Sequence, residues 1–275
     1  MRGEKTALTL PQQARFVLRA LALVLALLVF VPLHYLYRLF RYGSPFPMWF
    51  LGTAGWICGA RARRIGTPLR RDVFFVSNHV SWIDILVLAG ASGTAFVAKH
   101  ELSQVPAIGW LCGLNRTVFV KRENRMGVAE QINALREALA DNWSVTVFPE
   151  GTTTDNRSLL PFKTSLLSML DPPPPGVLVQ PVMLDYGGVG EDIGWVGEES
   201  GLNKARRVLG RRGSFPVRIH FLPPFSPADY RGRKAIGAKA RAEIEAALIA
   251  AVGPLRDFAH TVAPVRYEPP AQRLS

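Results

Sequence analysis

The sequence predicts an α/β fold, in which a mixed, largely parallel sheet is flanked by helices and preceded by an N-terminal two-helix membrane hairpin. Two observations lead to this prediction. Uncharged apolar runs fill much of the first 60 residues, and from residue 70 onward short apolar segments alternate with longer helical patterns. Strands that alternate with helices are typical of parallel or mixed sheets covered by helices on both faces. We therefore expect a membrane hairpin at residues 1–62, an α/β domain at 63–262 and a loose tail at 263–275.

The first apolar run lies between Arg19 and Arg38 and holds eighteen residues without a formal charge. A helix needs about 20 residues to span the hydrocarbon core, with a lower limit of about 17, so this run is marginal. The second run, 45–60, is shorter and begins at a turn rich in Gly and Pro. Two short apolar helices joined by such a turn predict a hairpin that dips into one leaflet, and a complete span stays open as the alternative.

Basic residues flank both runs, with Arg15 and Arg19 before the first and Arg61, Arg63 and Arg64 after the second. Because Lys and Arg are enriched on the cytoplasmic side of membrane segments, we expect the protein at the cytoplasmic face of a bacterial-type inner membrane. A cleaved signal peptide is a second explanation of the first run, but no Ala-x-Ala site follows it. A buried soluble helix is a third, and such a helix is rarely apolar on every face.

The charge balance of 33 basic against 21 acidic residues gives a formal net charge of +12, which predicts an anionic partner. An anionic membrane surface or a phosphorylated substrate fits. Nucleic acid is not expected, because no helix-turn-helix, zinc or base-stacking motif accompanies the basic residues. Two cysteines are too few for a disulfide framework, and no cluster of His, Cys and carboxylates has metal-ligand spacing, so no metal site is predicted.

The elements of the α/β domain are predicted from apolar periodicity. Strands are expected at 73–76, 94–97, 117–120, 144–148, 176–183 and 217–222. Helices are expected at 81–89, 125–140 and 233–251, and a long surface loop at 187–213. In open sheets of this kind, ligand sites gather at the carboxyl ends of the strands.

The motif Asn-His-Val-Ser-Trp-Ile-Asp at 78–84 begins where the first predicted strand of the domain ends. An aspartate one helical turn after the histidine can accept a hydrogen bond from the imidazole, which leaves the other ring nitrogen free to take a proton from a hydroxyl. His79 and Asp84 are therefore a candidate general-base pair. The spacing alone is a weak signal, since a histidine that only caps a helix gives the same pattern.

Three further blocks accompany this motif in the chain. With the motif at 78–84 as the first block, the second consists of Lys99 and the strand-terminal Val-Phe-Val-Lys-Arg at 118–122. The third block reads Phe-Pro-Glu-Gly-Thr-Thr-Thr at 148–154 and is followed by Leu-Pro-Phe-Lys at 160–163. The fourth block is Val-Gln-Pro-Val at 179–182. In this order and spacing the blocks resemble the glycerolipid acyltransferase family, whose best-known members are the lysophosphatidic acid acyltransferases. The resemblance covers about residues 73–182.

This resemblance implies an O-acyltransferase and a role for each matching residue. His79 would deprotonate the free hydroxyl of a lysolipid acceptor and Asp84 would orient His79. The hydroxyl would attack the thioester of acyl-CoA or acyl-carrier protein directly, so these serve as co-substrates and no cofactor is implied. The absence of a Gly-x-Ser-x-Gly motif agrees with a mechanism that has no acyl-enzyme. Arg122, Glu150, Gly151 and Thr152 would line the acceptor pocket, and Lys99 is a further candidate for binding the head group.

Thr153 departs from the commonest form of the family, in which an arginine taken to bind the phosphate of the acceptor occupies this position. A hydroxyl cannot replace the bidentate, charge-assisted bonds of a guanidinium. Lysophosphatidic acid, which acylation converts to phosphatidic acid, stays the leading expectation for the acceptor, with Lys99, Arg122 or Lys163 to take the phosphate in place of the arginine. The alternative is a lyso-ornithine lipid, because the third block also looks like that of bacterial lyso-ornithine lipid acyltransferases. A non-catalytic basic protein of the membrane surface is the alternative of another class, and the intact pair of His79 and Asp84 argues against it.

Overall fold

The computed structural model describes residues 8–40, 43–99, 103–120, 133, 144–197 and 200–257 of the 275-residue chain. Its helices are α1 (Leu10–Phe40), α2 (Phe46–Ile57), α3 (Ile83–Ser92), α4 (Pro106–Leu114), α5 (Gly190–Ile193), α6 (Gly201–Gly210) and α7 (Gly232–Val252). Its strands are β1 (Ala60–Ile65), β2 (Val73–Ser77), β3 (Ala95–Lys99), β4 (Val118–Val120), β5 (Ser144–Val147), β6 (Leu178–Asp185) and β7 (Phe215–Phe221). The predicted helix at 125–140 and the predicted tail at 263–275 lie outside the described residues.

The described strands form one seven-stranded sheet in the order β1-β7-β6-β2-β5-β3-β4. Among them, β6 and β7 are antiparallel, and every other neighbouring pair is parallel. The six predicted strands correspond to β2 through β7. The prediction of a mixed, largely parallel sheet is therefore confirmed.

Helices cover both faces of the sheet, because its central strands are apolar on both sides. Along β2, Val73 and Phe75 belong to one core cluster, and Phe74 and Val76 belong to the other. The first cluster includes side chains of α3 and α6, and the second includes one face of α7. A strand buried on both faces has a continuous apolar sequence, which is the pattern by which β2 was predicted.

The N-terminal hairpin differs from the prediction in the length of its first helix. α1 has 31 residues, about 46 Å of helix at about 1.5 Å per residue, and it continues through Pro32. It is long and apolar enough to cross a membrane. α2 has 12 residues, about 18 Å, and is too short for a span of about 30 Å. One helix of the hairpin is therefore a candidate span, and the second packs against α1 and α3.

Two parts of the chain were predicted wrongly. The segment 60–65, predicted as the basic flank of the hairpin, forms strand β1, which pairs with β7 and crosses the boundary expected at residue 62. It is an edge strand with arginines along it, and charged side chains are common where an edge is protected from further pairing. The segment 187–213, predicted as a surface loop, contains α5 and α6 and buries Lys204 completely.

Candidate active site

The first and third sequence blocks come together because β2, β5 and β6 are adjacent parallel strands. Their carboxyl ends meet at one edge of the sheet, where residues 78–84 follow β2, residues 148–154 follow β5 and Tyr186 follows β6. The Asn78 side chain ties the first of these segments to β6: its Nδ2 donates to the Leu184 carbonyl (3.0 Å), and its Oδ1 accepts from the Leu184 N–H (2.7 Å). The site therefore lies at the sheet edge that the sequence predicts.

His79 and Asp84 form the expected pair, with 2.8 Å between His79 Nδ1 and Asp84 Oδ2. The same carboxylate oxygen accepts the backbone N–H groups of Val80 (2.7 Å) and Ser81 (3.0 Å). An ionised carboxylate only accepts hydrogen bonds, so beside an ionised Asp84 the donor is His79 Nδ1, and a neutral imidazole then has its lone pair on Nε2. The His79 side chain is 19% exposed and Asp84 is completely buried. The buried Asp84 carboxylate therefore fixes the imidazole on one side, and part of the ring remains exposed to solvent.

Aromatic rings fix the plane of the His79 imidazole. It stacks on Phe148, with 4.1 Å between ring centroids and an interplanar angle of 17°. Phe148 in turn lies parallel to Phe96 of β3, at 5.9 Å and 8°. Stacking of this kind restricts rotation of the ring. Phe148 is the first residue of the third sequence block, and the sequence did not predict its contact with His79.

Glu150 is 1% exposed, and both of its carboxylate oxygens accept backbone N–H groups. Oε1 accepts from His79 (2.8 Å) and Oε2 accepts from Leu160 (2.9 Å). Burial raises the pKa of Glu150 to about 8, although these two bonds favour the carboxylate. In this arrangement Glu150 braces the backbone of the His79 segment. Its contact with an acceptor stays a prediction.

The residues after Glu150 make a tight turn beneath Lys163. Gly151 has φ +74°, and a Cβ at this position would lie 2.8 Å from Lys163 Nζ. Thr152 is half-buried. The Thr154 N–H donates to the His79 carbonyl at 2.8 Å, which links the third block to the first. The positive φ therefore favours a glycine at 151, whereas the flexible end of the Lys163 side chain can shift to admit a Cβ.

The Thr153 hydroxyl donates to the carbonyl of Trp195. The Trp195 N–H donates to the Val80 carbonyl (2.9 Å), so residues 190–195, here called the strap, contact both the first and the third sequence block. Lys204 and Arg207 of α6 donate to the carbonyls of Gly194 and Asp192 within the strap. These contacts of the strap were not predicted, because the sequence predicts a surface loop over the whole of 187–213.

Two predicted site residues have no described side chain. Lys99 is the last residue of β3, and Arg122 lies outside the described residues. In the part of the chain that the structure describes, no group of three His, Cys, Asp or Glu side chains is close enough to hold a metal ion.

Residues 63–185 match the family model for acyltransferases. The chain is also 31% identical over 261 residues to a lyso-ornithine lipid O-acyltransferase from Rhodobacter capsulatus, with 87% of this chain and 92% of that protein covered. The chain belongs to the acyltransferase family. A lyso-ornithine lipid O-acyltransferase from Brucella abortus is 30% identical to this acyltransferase, with 86% and 96% covered. A 1-acyl-sn-glycerol-3-phosphate acyltransferase from Neisseria meningitidis serogroup B is 35% identical over 94 residues, 34% of this chain and 37% of that protein.

The fold of this acyltransferase is also that of a solved structure. The 1-acyl-sn-glycerophosphate acyltransferase PlsC from Thermotoga maritima superposes with a TM-score of 0.62 over 86% of this chain and 96% of that chain, at 22% sequence identity. At this identity the likeness concerns the fold. The resemblance to glycerolipid acyltransferases and the assignment as an enzyme are thus confirmed.

Proposed function

We propose that this acyltransferase moves a fatty acyl group from a thioester, acyl-CoA or acyl-carrier protein, to the free hydroxyl of a lysolipid, with His79 as general base. His79 Nε2 takes the hydroxyl proton as the oxygen attacks the thioester carbonyl. The tetrahedral intermediate then collapses, the carbon–sulfur bond breaks, and the imidazolium returns the proton to the leaving thiolate. The observation that carries this proposal is the bond between His79 Nδ1 and Asp84, which leaves Nε2 as the accepting nitrogen.

Two features of the site support this role for His79. The buried carboxylate of Asp84 stabilises the imidazolium that forms when the proton is taken, and the stack on Phe148 keeps the ring in one plane. Glu150 and Thr154 hold the His79 backbone from both sides, through its N–H and its carbonyl. A preorganised base needs little rearrangement when the acceptor binds.

For the acceptor we propose a lyso-ornithine lipid. The relatives from Rhodobacter capsulatus and Brucella abortus support it, because both are lyso-ornithine lipid O-acyltransferases and match this chain over nearly their full length. Position 153 supports it as well, because a threonine stands there and its hydroxyl already donates to Trp195. An ornithine head group carries one carboxylate and one ammonium, so it needs less positive charge than a phosphate monoester does. Lys163, which lies over Gly151, offers one cation for that carboxylate.

Lysophosphatidic acid is the second candidate acceptor. The shorter match to 1-acyl-sn-glycerol-3-phosphate acyltransferases and the formal net charge of +12 favour it. Lys163 would then contact the phosphate together with Lys99 or Arg122.

We further propose that the protein works at the cytoplasmic face of the inner membrane. α1 and α2 would anchor it there, and basic residues would contact anionic lipid. Thioester donors are made in the cytoplasm, which supports this side. The acceptor hydroxyl would then reach His79 from the bilayer while the donor arrives from water.

The experiment uses the full chain, purified in detergent micelles, with each acceptor offered separately with acyl-CoA and with acyl-carrier protein, and products identified by lipid mass spectrometry. We expect acylated ornithine lipid as the main product. His79→Ala should lower its formation by about 10²–10⁴-fold, the usual contribution of a general base. His220→Ala, in β7, is the matched control and should stay within about threefold of the wild type.

Phosphatidic acid as the main product would select the second candidate acceptor. No product with either acceptor would contradict the proposed function, and His79→Ala activity above about a tenth of the wild type would remove His79 from the role of base.

A further inference from the structure

Tyr186 touches the catalytic pair but belongs to none of the sequence blocks. It follows directly after β6, is completely buried, and its hydroxyl donates to Asp84 Oδ1 at 2.5 Å. The residues in contact are 102 positions apart. In the described part of the chain, this hydroxyl is the donor to Oδ1, whereas Oδ2 accepts from His79, Val80 and Ser81.

The surroundings of Tyr186 hold its hydroxyl in place. Its backbone N–H donates to Asn156 Oδ1 (3.3 Å), and its ring lies 6.2 Å from that of Phe215 at an angle of 29°. Two residues earlier, Leu184 is bonded to the Asn78 side chain through both its N–H and its carbonyl. The end of β6 is thus fixed to the start of the His79 segment, and the phenol has little freedom to leave Asp84.

We propose that Tyr186 is a positioning residue of the acyl-transfer reaction, which acts on His79 through Asp84. Its hydroxyl restrains the Asp84 carboxylate against rotation, so that Oδ2 stays aligned with His79 Nδ1. The hydrogen bond also draws negative charge from the Asp84 carboxylate, so the carboxylate stabilises a protonated His79 less. This inference rests on the proposed function, since it requires His79 to act as the base.

The charges around Tyr186 favour a positioning role over a role as a proton donor to the substrate. Burial and the neighbouring Asp84 raise the pKa of Tyr186 well above its ordinary value, so the phenol stays protonated and keeps donating. The titratable groups around Asp84 are His79 before α3, Glu150 after β5 and Tyr186 after β6. Of these, His79 and Tyr186 donate to the Asp84 carboxylate, and the two oxygens of Glu150 are used by backbone N–H groups.

The test compares Tyr186→Phe with the wild type in the full chain, using the acceptor and donor that the wild type accepts. Phenylalanine keeps the ring that packs on Phe215 and removes only the hydroxyl. We expect kcat to fall by about 10-fold to 100-fold, because without this restraint Asp84 Oδ2 is no longer held in line with His79 Nδ1, with the acceptor KM within about twofold. Because a carboxylate that shares less charge stabilises the imidazolium more, the acid limb of the pH–rate profile should move to higher pH.

Tyr230→Phe is the matched control. Tyr230 packs edge-on against Phe225 in the core cluster of the other sheet face, so its kcat and pH profile should equal those of the wild type. A purely structural role for Tyr186 would lower the thermal midpoint and leave the acid limb where it is. Tyr186→Phe with wild-type kcat, or with an unmoved acid limb, overturns the proposal.

A second variant covers the case in which Tyr186→Phe does not fold. Tyr186→4-aminophenylalanine keeps the ring and a weaker N–H donor, so it should retain more than about a tenth of the wild-type kcat and show a smaller pH shift. Full wild-type kcat together with an unmoved acid limb would overturn the proposal here too. Because the wild type is measured in the same assay, its failure to acylate any acceptor would instead reject the proposed function.

Discussion

Asp84 and Glu150 are two buried carboxylates that hold the same histidine in different ways. Asp84 contacts the His79 side chain and accepts four hydrogen bonds in all, from His79, Val80, Ser81 and Tyr186. Glu150 contacts the His79 backbone and accepts two. Asp84 also lies in the first turn of α3, where the helix dipole favours negative charge. Asp84 therefore accepts the larger number of hydrogen bonds, and burial raises the pKa of Glu150.

The pKa of Glu150 predicts how stability depends on pH. Because this pKa is raised from 4.5 to about 8, the folded protein keeps a proton there that the unfolded chain has lost between these pH values. The contribution of Glu150 to the free energy of unfolding is therefore fully present below pH 4.5 and is lost as pH rises through about 8. We expect the thermal midpoint in detergent to fall between pH 5 and pH 8. The corresponding loss in the free energy of unfolding is at most about 1.4 kcal/mol per pH unit.

Glu150→Gln should flatten this dependence, because an amide does not titrate in that range. Glu243→Gln is the control, since Glu243 is a partly exposed residue of α7 that pairs with Lys239. Equal pH slopes for the wild type and Glu150→Gln would show that another group sets the stability.

At the scale of elements, α3 joins the site to the hairpin. Its first turn carries Asp84, and its far end crosses α2 where Gly90 meets Gly52. A crevice of about 380 Å³ beside this crossing is lined by α2, α3 and β1, including Trp56 and Arg64. Small residues on both helices permit this close approach, so the helix that holds Asp84 packs directly on α2 of the N-terminal hairpin.

The crossing predicts an asymmetry between two glycine substitutions. A Cβ on Gly90 would lie 2.4 Å from Gly52 Cα and 2.8 Å from Gly52 N, so Gly90→Ala must push the helices apart. A Cβ on Gly52 would lie 3.4 Å from Gly90 Cα, which is ordinary contact. We expect Gly90→Ala to lose about 1–3 kcal/mol of stability and Gly52→Ala to change it by less than about 1 kcal/mol. Thermal midpoints of the two variants in the same detergent measure this, and equal midpoints would contradict the close crossing.

The sequence predicted those elements whose own residues reveal their burial. β2 and β5 are buried throughout, and α7 carries its buried residues at helical spacing, so local periodicity identified them. β1 was missed because an edge strand of alternating arginines has no apolar pattern. α6 was missed because glycines bound it and its buried Lys204 was counted as a surface charge. Tyr186 was missed for a different reason: its contact with Asp84 depends on the pairing of β2 with β6, which no local motif encodes.

At the scale of the molecule, Arg19 ties α1, the candidate membrane span, to the α/β part of the fold. Its guanidinium donates to the carbonyls of four residues at and after the end of α6, namely Val208, Leu209, Arg211 and Gly213. Arg15 adds a bond to the Gly210 carbonyl. These carbonyls lie at the negative end of the α6 dipole, where a cation is favoured. α6 in turn holds the strap, which contacts the first and third sequence blocks, so α1 and the candidate site share one hydrogen-bonded frame.

The exposed face of α1 is apolar along nearly its whole length. Leu18, Leu21, Leu25 and Leu28 are each more than half exposed, at spacings of three or four residues. In water such a stripe of large side chains would be a liability, whereas in a bilayer it is the contact surface. We therefore expect this face of α1 to carry most of the membrane affinity.

The pair Leu21→Glu and Leu28→Glu, combined in one chain, tests this expectation. Both side chains point away from the protein, at 56% and 65% exposure, so charging them leaves the core and the Arg19 contacts in place. A charged side chain within the hydrocarbon costs about 2.5–3.5 kcal/mol, and two of them should lower vesicle binding by at least about 100-fold. The pair Leu202→Glu and Ile249→Glu is the control, because these residues are exposed apolar positions on α6 and α7, at 57% and 45%. Sedimentation with vesicles of mixed neutral and anionic lipid measures both, and the thermal midpoint verifies folding. If the charged α1 variant sediments like the control, the basic surface and α2 hold the protein, and added salt should then release it because charge contacts weaken with ionic strength.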